Sequence, residues 1–124
     1  MRTILIDVKN KRFAKLNVKD DAAEWARLCN CKYVKQIHRN IGHKPFTIIY
    51  DEDGLLKQEQ IPSALDINNE VALVGNLLIF DYSAGVNIEE LSKDNARYVI
   101  NNIANVAINS ATGTDIRPML LNVN

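Results

Sequence analysis

The side chains best suited to metal binding, two cysteines and two histidines, lie within one short region of the chain: Cys29, Cys31, His38 and His43. Thiolate and imidazole groups are common zinc ligands, and four of them complete a tetrahedral site. Structural zinc sites usually place two to four residues between paired cysteines, whereas a single residue separates Cys29 from Cys31. We therefore predict no metal site and no cofactor.

A second group of functional side chains lies in the basic stretch 32–44, which contains no acidic residue. Such a stretch attracts the phosphate groups of a nucleic acid or a nucleotide. The loop around Gly42 is the kind of segment that carries binding residues. The alternative is a solvated strand edge, on which lysines discourage aggregation. The predicted phosphate-binding residues are Lys35, His38, Arg39, His43 and Lys44.

Catalytic and nucleotide-binding motifs do not occur in the sequence. No Ser–His–Asp, Cys–His or paired-carboxylate arrangement can be assembled from the spacing. Neither G-x-x-x-x-G-K nor G-x-G-x-x-G is present. The acidic turn 51–54 lacks the alternating ligands and the terminal glutamate of an EF-hand, so we expect a plain hairpin turn there. The prediction is a protein without catalytic residues that is not an enzyme.

The composition is that of one folded domain. The chain has 124 residues, of which 47% are hydrophobic and 24% charged, and this is enough for a single core spanning residues 1–124. The longest apolar run, 77–80, is far below the roughly 20 residues that cross a bilayer. The N-terminus lacks the length and cleavage site of a signal peptide. We expect a cytoplasmic protein with reduced cysteines and no membrane association.

The net charge of zero conceals an uneven distribution along the chain. Residues 1–44 contain 11 Lys/Arg and 4 Asp/Glu, whereas residues 45–124 contain 4 and 11. Such asymmetry can mark a surface for nucleic acid, for an acidic partner or for a second copy of the chain. The alternative is that folding intermingles the two halves and cancels the field.

Hydrophobic periodicity predicts the elements that hold these side chains. Apolar residues alternate over 4–8 and 14–18, which indicates a β-hairpin with a polar turn. A first helix is expected at about 21–29, with Asp21 as its N-cap and Glu24 in a capping box. Its apolar stripe is expected to anchor the helix to a sheet and consists of Ala22, Trp25, Ala26 and Cys29.

The middle of the chain is expected to be mainly β-structure. Strands are predicted over 33–39, 46–50, 71–74 and 77–82, where β-branched, aromatic and alternating apolar residues are concentrated. A short returning strand is expected to begin at Leu55, and residues 62–65 are expected to form a single helical turn.

A second helix is predicted at about 93–107, capped by Ser92. Residues 109–118 are predicted to be flexible, and residues 119–121 to form a last edge strand or to dock on a partner. The predicted fold class is α+β, with a mostly antiparallel sheet of about five to six strands packed with two helices.

Four short motifs resemble the family catalogued as domain of unknown function 3846, which is common in phages, plasmids and their bacterial hosts. They are Phe-Thr-Ile-Ile-Tyr-Asp-Glu-Asp-Gly-Leu-Leu at 46–56, Ile-Pro-Ser-Ala-Leu at 61–65, Val-Gly-Asn-Leu-Leu-Ile-Phe at 74–80 and Glu-Leu-Ser-Lys-Asp-Asn at 90–95. The chain departs from the family pattern at Cys31 and Lys32, which stand in place of a glycine pair, and at Pro62, which stands in place of an asparagine. The resemblance implies a mobile-element setting and supplies no catalytic residue.

These observations support three hypotheses about function. The first is a non-enzymatic binding or interaction protein from a phage or mobile element, such as an inhibitor of a host protein. The second is a nucleic-acid or nucleotide-phosphate binder that uses residues 32–44. The third is a small enzyme, which a pocket joining His38 or His43 to Asp81 would favour. A homo-oligomer is compatible with all three.

Overall fold

The computed structural model describes residues 1–57 and 60–124, without the side chains of Leu55 and Ser110. In this part of the chain the secondary structure comprises two α-helices, one short 3₁₀ turn at Gly54–Leu56, and nine strands. The helices are α1 (Ala22–Leu28) and α2 (Lys93–Asn101). The strands are β1 (Arg2–Asp7), β2 (Arg12–Asn17), β3 (Val34–Ile41), β4 (Lys44–Asp51), β5 (Pro62–Leu65), β6 (Val71–Val74), β7 (Leu77–Asp81), β8 (Ile103–Ser110) and β9 (Gly113–Leu120).

The strands form two sheets. The first is fully antiparallel and has the order β2-β1-β7-β4-β3. The second has the order β6-β5-β9-β8 and is mixed, because β5 and β9 run parallel. The predicted α+β class is confirmed. The predicted sheet of five to six strands describes only the first sheet, since four more strands form the second.

The first sheet is buried on both faces around its central strand, β7. Ile79 of β7 lies between Ile4 and Ile48, and this row packs against α2 and the second sheet. On the opposite face, Leu78 lies in a cluster with Trp25 of α1. Because successive residues of a strand face opposite sides, a central strand covered on both sides is apolar without alternation.

The helix α1 begins as the sequence predicts. The Asp21 side chain accepts a hydrogen bond from the Ala23 N–H over 2.9 Å, and the Trp25 ring lies 5.9 Å from that of Phe80 in the first sheet. The predicted capping box does not form, because the Glu24 carboxylate pairs with the Arg27 guanidinium at 2.7 Å. The cap and the aromatic anchor therefore determine the position of the helix.

The helix α2 is shorter than the predicted helix at 93–107. Its start is confirmed, since the Ser92 side chain accepts a hydrogen bond from the Asn95 N–H over 3.1 Å. It ends at Asn101, and residues 103–110 form β8 instead. Two asparagines and three β-branched residues weaken helix propensity there, and β9 offers a complete antiparallel partner.

Three further local predictions are corrected. Residues 62–65 form β5 rather than a helical turn, and the chain after Asp53 forms a 3₁₀ turn rather than a strand. Strand β9 lies between β5 and β8, so residues 119–121 do not form an edge strand. The β5–β9 ladder is limited to Ala64 and Leu120, and nearby Pro118 has no N–H to donate to such a ladder. The flexibility predicted for 109–118 falls on a segment that is largely the β8–β9 hairpin.

The β1–β2 turn is held by a buried carboxylate. Asp7 accepts hydrogen bonds from the Asn10 backbone and side chain and from the Arg12 guanidinium. Burial alone would raise the pKa of Asp7, but these hydrogen bonds and the Arg12 charge outweigh it, so the pKa lies below its usual value. The predicted hairpin is confirmed, with six residue pairs in register.

Candidate functional site

The predicted phosphate-binding residues are divided between two faces of β3. Lys35 and Arg39 pair with Tyr50 and Phe46, on the side of the first sheet that packs against α2 and the second sheet. His38 pairs with Thr47 and points to the opposite side, as the alternation of a strand requires. These three side chains therefore cannot converge on one phosphate group.

The other two predicted residues lie at the β3–β4 turn beside α2. The Lys44 ammonium lies 4.8 Å from the centre of the Tyr98 ring and 3.4 Å from the Asn95 side-chain oxygen. The His43 ring meets Tyr98 edge-on, at 5.9 Å between ring centres. The structure thus brings His43 and Lys44 together, and it places His38 against a different ring, that of Tyr82.

The β3–β4 turn packs closely against α2. Gly42 has a φ of +63°, and a Cβ added there would clash with the Tyr98 hydroxyl oxygen. That hydroxyl donates a hydrogen bond to the Ile41 carbonyl over 2.7 Å. Only glycine accommodates both the left-handed conformation and the close approach. Gly42 therefore serves the packing of the turn against α2.

The outer edge of β3 is partly covered by the C-terminus. Asn40 and Asn124 exchange backbone hydrogen bonds of 3.1 and 2.8 Å, and the Gly42 N–H donates to the Asn122 carbonyl over 2.8 Å. The rest of this edge carries Lys35, which pairs with Glu52 at 3.8 Å, and the exposed Arg39. This arrangement matches the solvated strand edge that the sequence offered as the alternative.

The two cysteines lie in different environments. Cys29 is buried in the cluster under α1, and burial raises the pKa of its thiol to about 12. Burial also raises the pKa of the partly exposed Cys31, whose thiol donates a hydrogen bond to the Tyr33 carbonyl over 3.3 Å. Among the described residues, no three His, Cys, Asp or Glu side chains are grouped so that they could hold a metal ion.

A cavity of about 210 Å³ lies where α1, the β6–β7 turn and the 3₁₀ turn meet. Two of its polar side chains, Asp51 and Asn76, are already bonded to other parts of the fold. Asp51 binds the Lys57 ammonium at 2.5 Å and accepts a hydrogen bond from the Asp53 N–H over 2.9 Å. Asn76 also lines the cavity, and its amide accepts from the Val8 N–H and donates to a carbonyl of α1. These groups connect elements of the fold.

The feature that sequence reasoning missed is the free edge of β8. The two sheets of the described chain end in four outer strands. Strand β2 carries Arg12 and Lys15, β3 carries Lys35 and Arg39, and β6 has only four residues. Strand β8 has eight residues, Ile-Ala-Asn-Val-Ala-Ile-Asn-Ser, without charge, proline or glycine. Natural proteins usually protect such an edge.

The pairing with β9 determines which backbone groups of β8 face outward. The Leu121 N–H donates to the Asn102 carbonyl over 2.7 Å, and the register continues from Ile103 opposite Leu120 to Ser110 opposite Gly113. Bonded and non-bonded pairs alternate along an antiparallel ladder. The N–H and C=O groups that point away from β9 therefore belong to Ile103, Asn105, Ala107 and Asn109.

One signal in the sequence was compatible with this edge. The alternation of Asn and apolar residues over 103–110 is a period-two pattern. It was outweighed by the helical spacing of Val99, Ile103 and Ala107. Neither pattern indicates whether a strand is central or at an edge, because that depends on the order of the strands in the sheet.

Comparisons of the chain with protein-family models, with curated proteins and with solved structures gave no significant match. The resemblance to domain of unknown function 3846 therefore stays a prediction. No helix in the described part of the chain combines the length and the apolar character that crossing a membrane requires.

Proposed function

We propose that this protein is a non-enzymatic interaction protein that binds an extended segment of a protein partner along the free edge of β8. The observation that carries the proposal is the contrast between this edge and the other long edges. Strands β2 and β3 each present two basic residues, whereas β8 presents none over eight residues. An uncharged edge of this length is suited to strand addition.

Strand addition uses the backbone groups of β8 that have no partner among the described residues. Four residues offer outward N–H and C=O groups, and main-chain hydrogen bonds to them supply affinity for an extended chain. The side chains between them, such as Val106 and Ile108, are half-buried and give the edge an apolar surface. A partner strand with alternating apolar residues fits this surface best.

The resemblance to a family of phages and plasmids supplies the setting that we propose for this activity. In that setting the partner is a host protein, and occupying its exposed strand or terminus would inhibit it. This step is an analogy from context.

The proposal predicts partners that depend on the β8 edge. Ala107→Pro removes one outward N–H from β8 without removing a β8–β9 hydrogen bond. Lys15→Pro is the matched control, because the Lys15 backbone points away from β1 on the edge of the other sheet. Proteins captured from bacterial lysate by the wild type and by Lys15→Pro, but lost with Ala107→Pro, are the expected result.

The captured protein must then be purified and its affinity measured by calorimetry. We expect hydrogen exchange at the outward amides of β8 to slow when the partner is bound. Equal capture by all three baits, or no slowing of exchange in β8, would contradict the proposal.

The alternative function is phosphate binding by the basic edge of β3, which the shared face of Lys35 and Arg39 favours. Such binding should weaken steeply as salt concentration rises. The double variant Lys35→Glu/Arg39→Glu should abolish binding of a fluorescent oligonucleotide. Unchanged anisotropy in that variant would remove these residues from the site.

A further inference from the structure

We infer that the free edge of β8 is also a self-association site, at which β8 pairs antiparallel with β8 of a second copy about a two-fold axis through Val106. This inference rests on the proposed function, because it concerns the same edge. The dimer joins the two four-stranded sheets into one sheet of eight strands and covers the edge until another partner displaces the second copy.

The symmetry of the edge supports this occupant. The outward backbone groups belong to residues 103, 105, 107 and 109, which are placed evenly on both sides of Val106. A two-fold axis at Val106 puts residue 103 opposite 109 and residue 105 opposite 107. All four outward residues then form bonded pairs, with about eight hydrogen bonds between the copies. Moving the axis by half a residue breaks this pattern, because residues with outward groups would then face residues with inward groups. Moving it by a whole residue, to Asn105 or Ala107, leaves three bonded pairs instead of four, and so about two fewer hydrogen bonds.

The side chains agree with the same register. Val106 meets its own symmetry mate, and Ala104 lies opposite Ile108, so one face of the junction is apolar. On the other face Asn105 lies opposite Ala107, and Ile103 opposite Asn109. Cross-strand pairs of β-branched residues stabilise antiparallel sheets.

Charge distinguishes β8 from the other two long edges, β2 and β3. A two-fold axis brings a strand close to a copy of itself, so any charge on the strand approaches a like charge. The edges β2 and β3 carry pairs of basic residues and would repel their copies. Strand β8 has no charge to repel. The self-association should therefore be insensitive to salt, unlike a head-to-tail contact between basic and acidic parts of the chain.

Sedimentation velocity of the full chain tests the inference. We expect a monomer–dimer equilibrium of the wild type between about 1 and 200 μM, and the same equilibrium from about 0.1 to 1 M NaCl. Ala107→Pro should be monomeric, and Lys15→Pro should dimerise like the wild type. Circular dichroism must show that both variants are folded.

A charge design at two exposed positions tests the register itself. Asn105→Lys with Ala107→Lys places lysine opposite lysine in both symmetric pairs, and we expect self-association to weaken by more than about tenfold. Asn105→Lys with Ala107→Asp places lysine opposite aspartate, and dimerisation should be restored. Both positions are exposed, so neither design disturbs the core.

The inference is overturned if the wild type is monomeric at the highest concentration, or if the two charge designs associate equally. If the wild type is monomeric but captures a protein partner that Ala107→Pro does not capture, the proposed function still stands. A dimer with the expected variants and no partner captured through β8 would support the inference and contradict the proposed function.

Discussion

The amide of Asn76 links three elements of the fold and allows a quantitative prediction. Its oxygen accepts a hydrogen bond from the Val8 N–H over 3.0 Å, and its nitrogen donates to the Leu28 carbonyl over 2.9 Å. Asn76 immediately precedes β7, Val8 follows β1, and Leu28 ends α1. The change Asn76→Ala removes both hydrogen bonds at once.

The cost follows from the burial of the two partners. Val8 is 7% exposed, so its N–H would lose a buried partner, at a cost of about 1–3 kcal/mol. The Leu28 carbonyl belongs to a half-buried residue and can be partly hydrated, which adds about 0.5–1 kcal/mol. We expect the free energy of unfolding to fall by about 1.5–4 kcal/mol, a large share of the roughly 5–15 kcal/mol typical of a domain.

Equilibrium unfolding in urea measures this change. The midpoint should fall by about 1–3 M, with an unchanged dependence on urea concentration. Asn68→Ala is the matched control, because Asn68 lies in an exposed turn, and its cost should stay within about 0.5 kcal/mol. A loss below about 1 kcal/mol for Asn76→Ala would refute the reasoning, since it would mean that water replaces the amide in the nearby cavity.

Three other predictions test separate parts of the structure. Because the pKa of the Cys29 thiol is about 12, only about one thiol in ten thousand is ionised at pH 8. We therefore expect mass spectrometry to show iodoacetamide labelling of Cys31 alone in the folded protein. Labelling of Cys29 at the same rate would show that the core opens. The pKa of Asp7 is lowered in the folded protein, so its stabilisation is present above the unfolded pKa of 3.8 and is lost as the pH falls through the folded pKa. The urea midpoint of the wild type should therefore fall at acidic pH, and Asp7→Asn should make this fall less steep. An unchanged slope of midpoint against pH would remove Asp7 as its cause. Gly42→Ala should lower the free energy of unfolding by about 2–3 kcal/mol in thermal unfolding, because the left-handed backbone is strained and the tyrosine hydroxyl is displaced. Gly85→Ala, with open space around it, should cost almost nothing. Equal costs would contradict the close contact.

Local sequence patterns predicted several elements correctly because their causes are local. Asp21 and Ser92 cap helices through hydrogen bonds that span two or three residues. The first hairpin and the strand 46–50 follow from alternation and β-branched content. The opposite facing of Lys35 and His38 also follows from the period of a strand.

The contacts around the candidate phosphate site could not be predicted from local sequence patterns. His43 and Lys44 both contact the ring of Tyr98, which is more than fifty residues away in the chain. The covering of Asn40 by Asn124 likewise joins two distant segments. No spacing rule connects residues so far apart, because their contact depends on how the two sheets pack.

The fate of residues 103–110 was decided by tertiary structure alone. Their apolar spacing fits a helix and a strand, and the choice depends on the complete ladder that β9 provides. The edge status of β8 depends on one further step, the order of all strands in the second sheet. Alternation in the sequence shows which residues share a face of a strand. Only the assembled sheet determines which backbone groups have no hydrogen-bond partner, because the hydrogen bonds of a sheet form between separate segments of the chain.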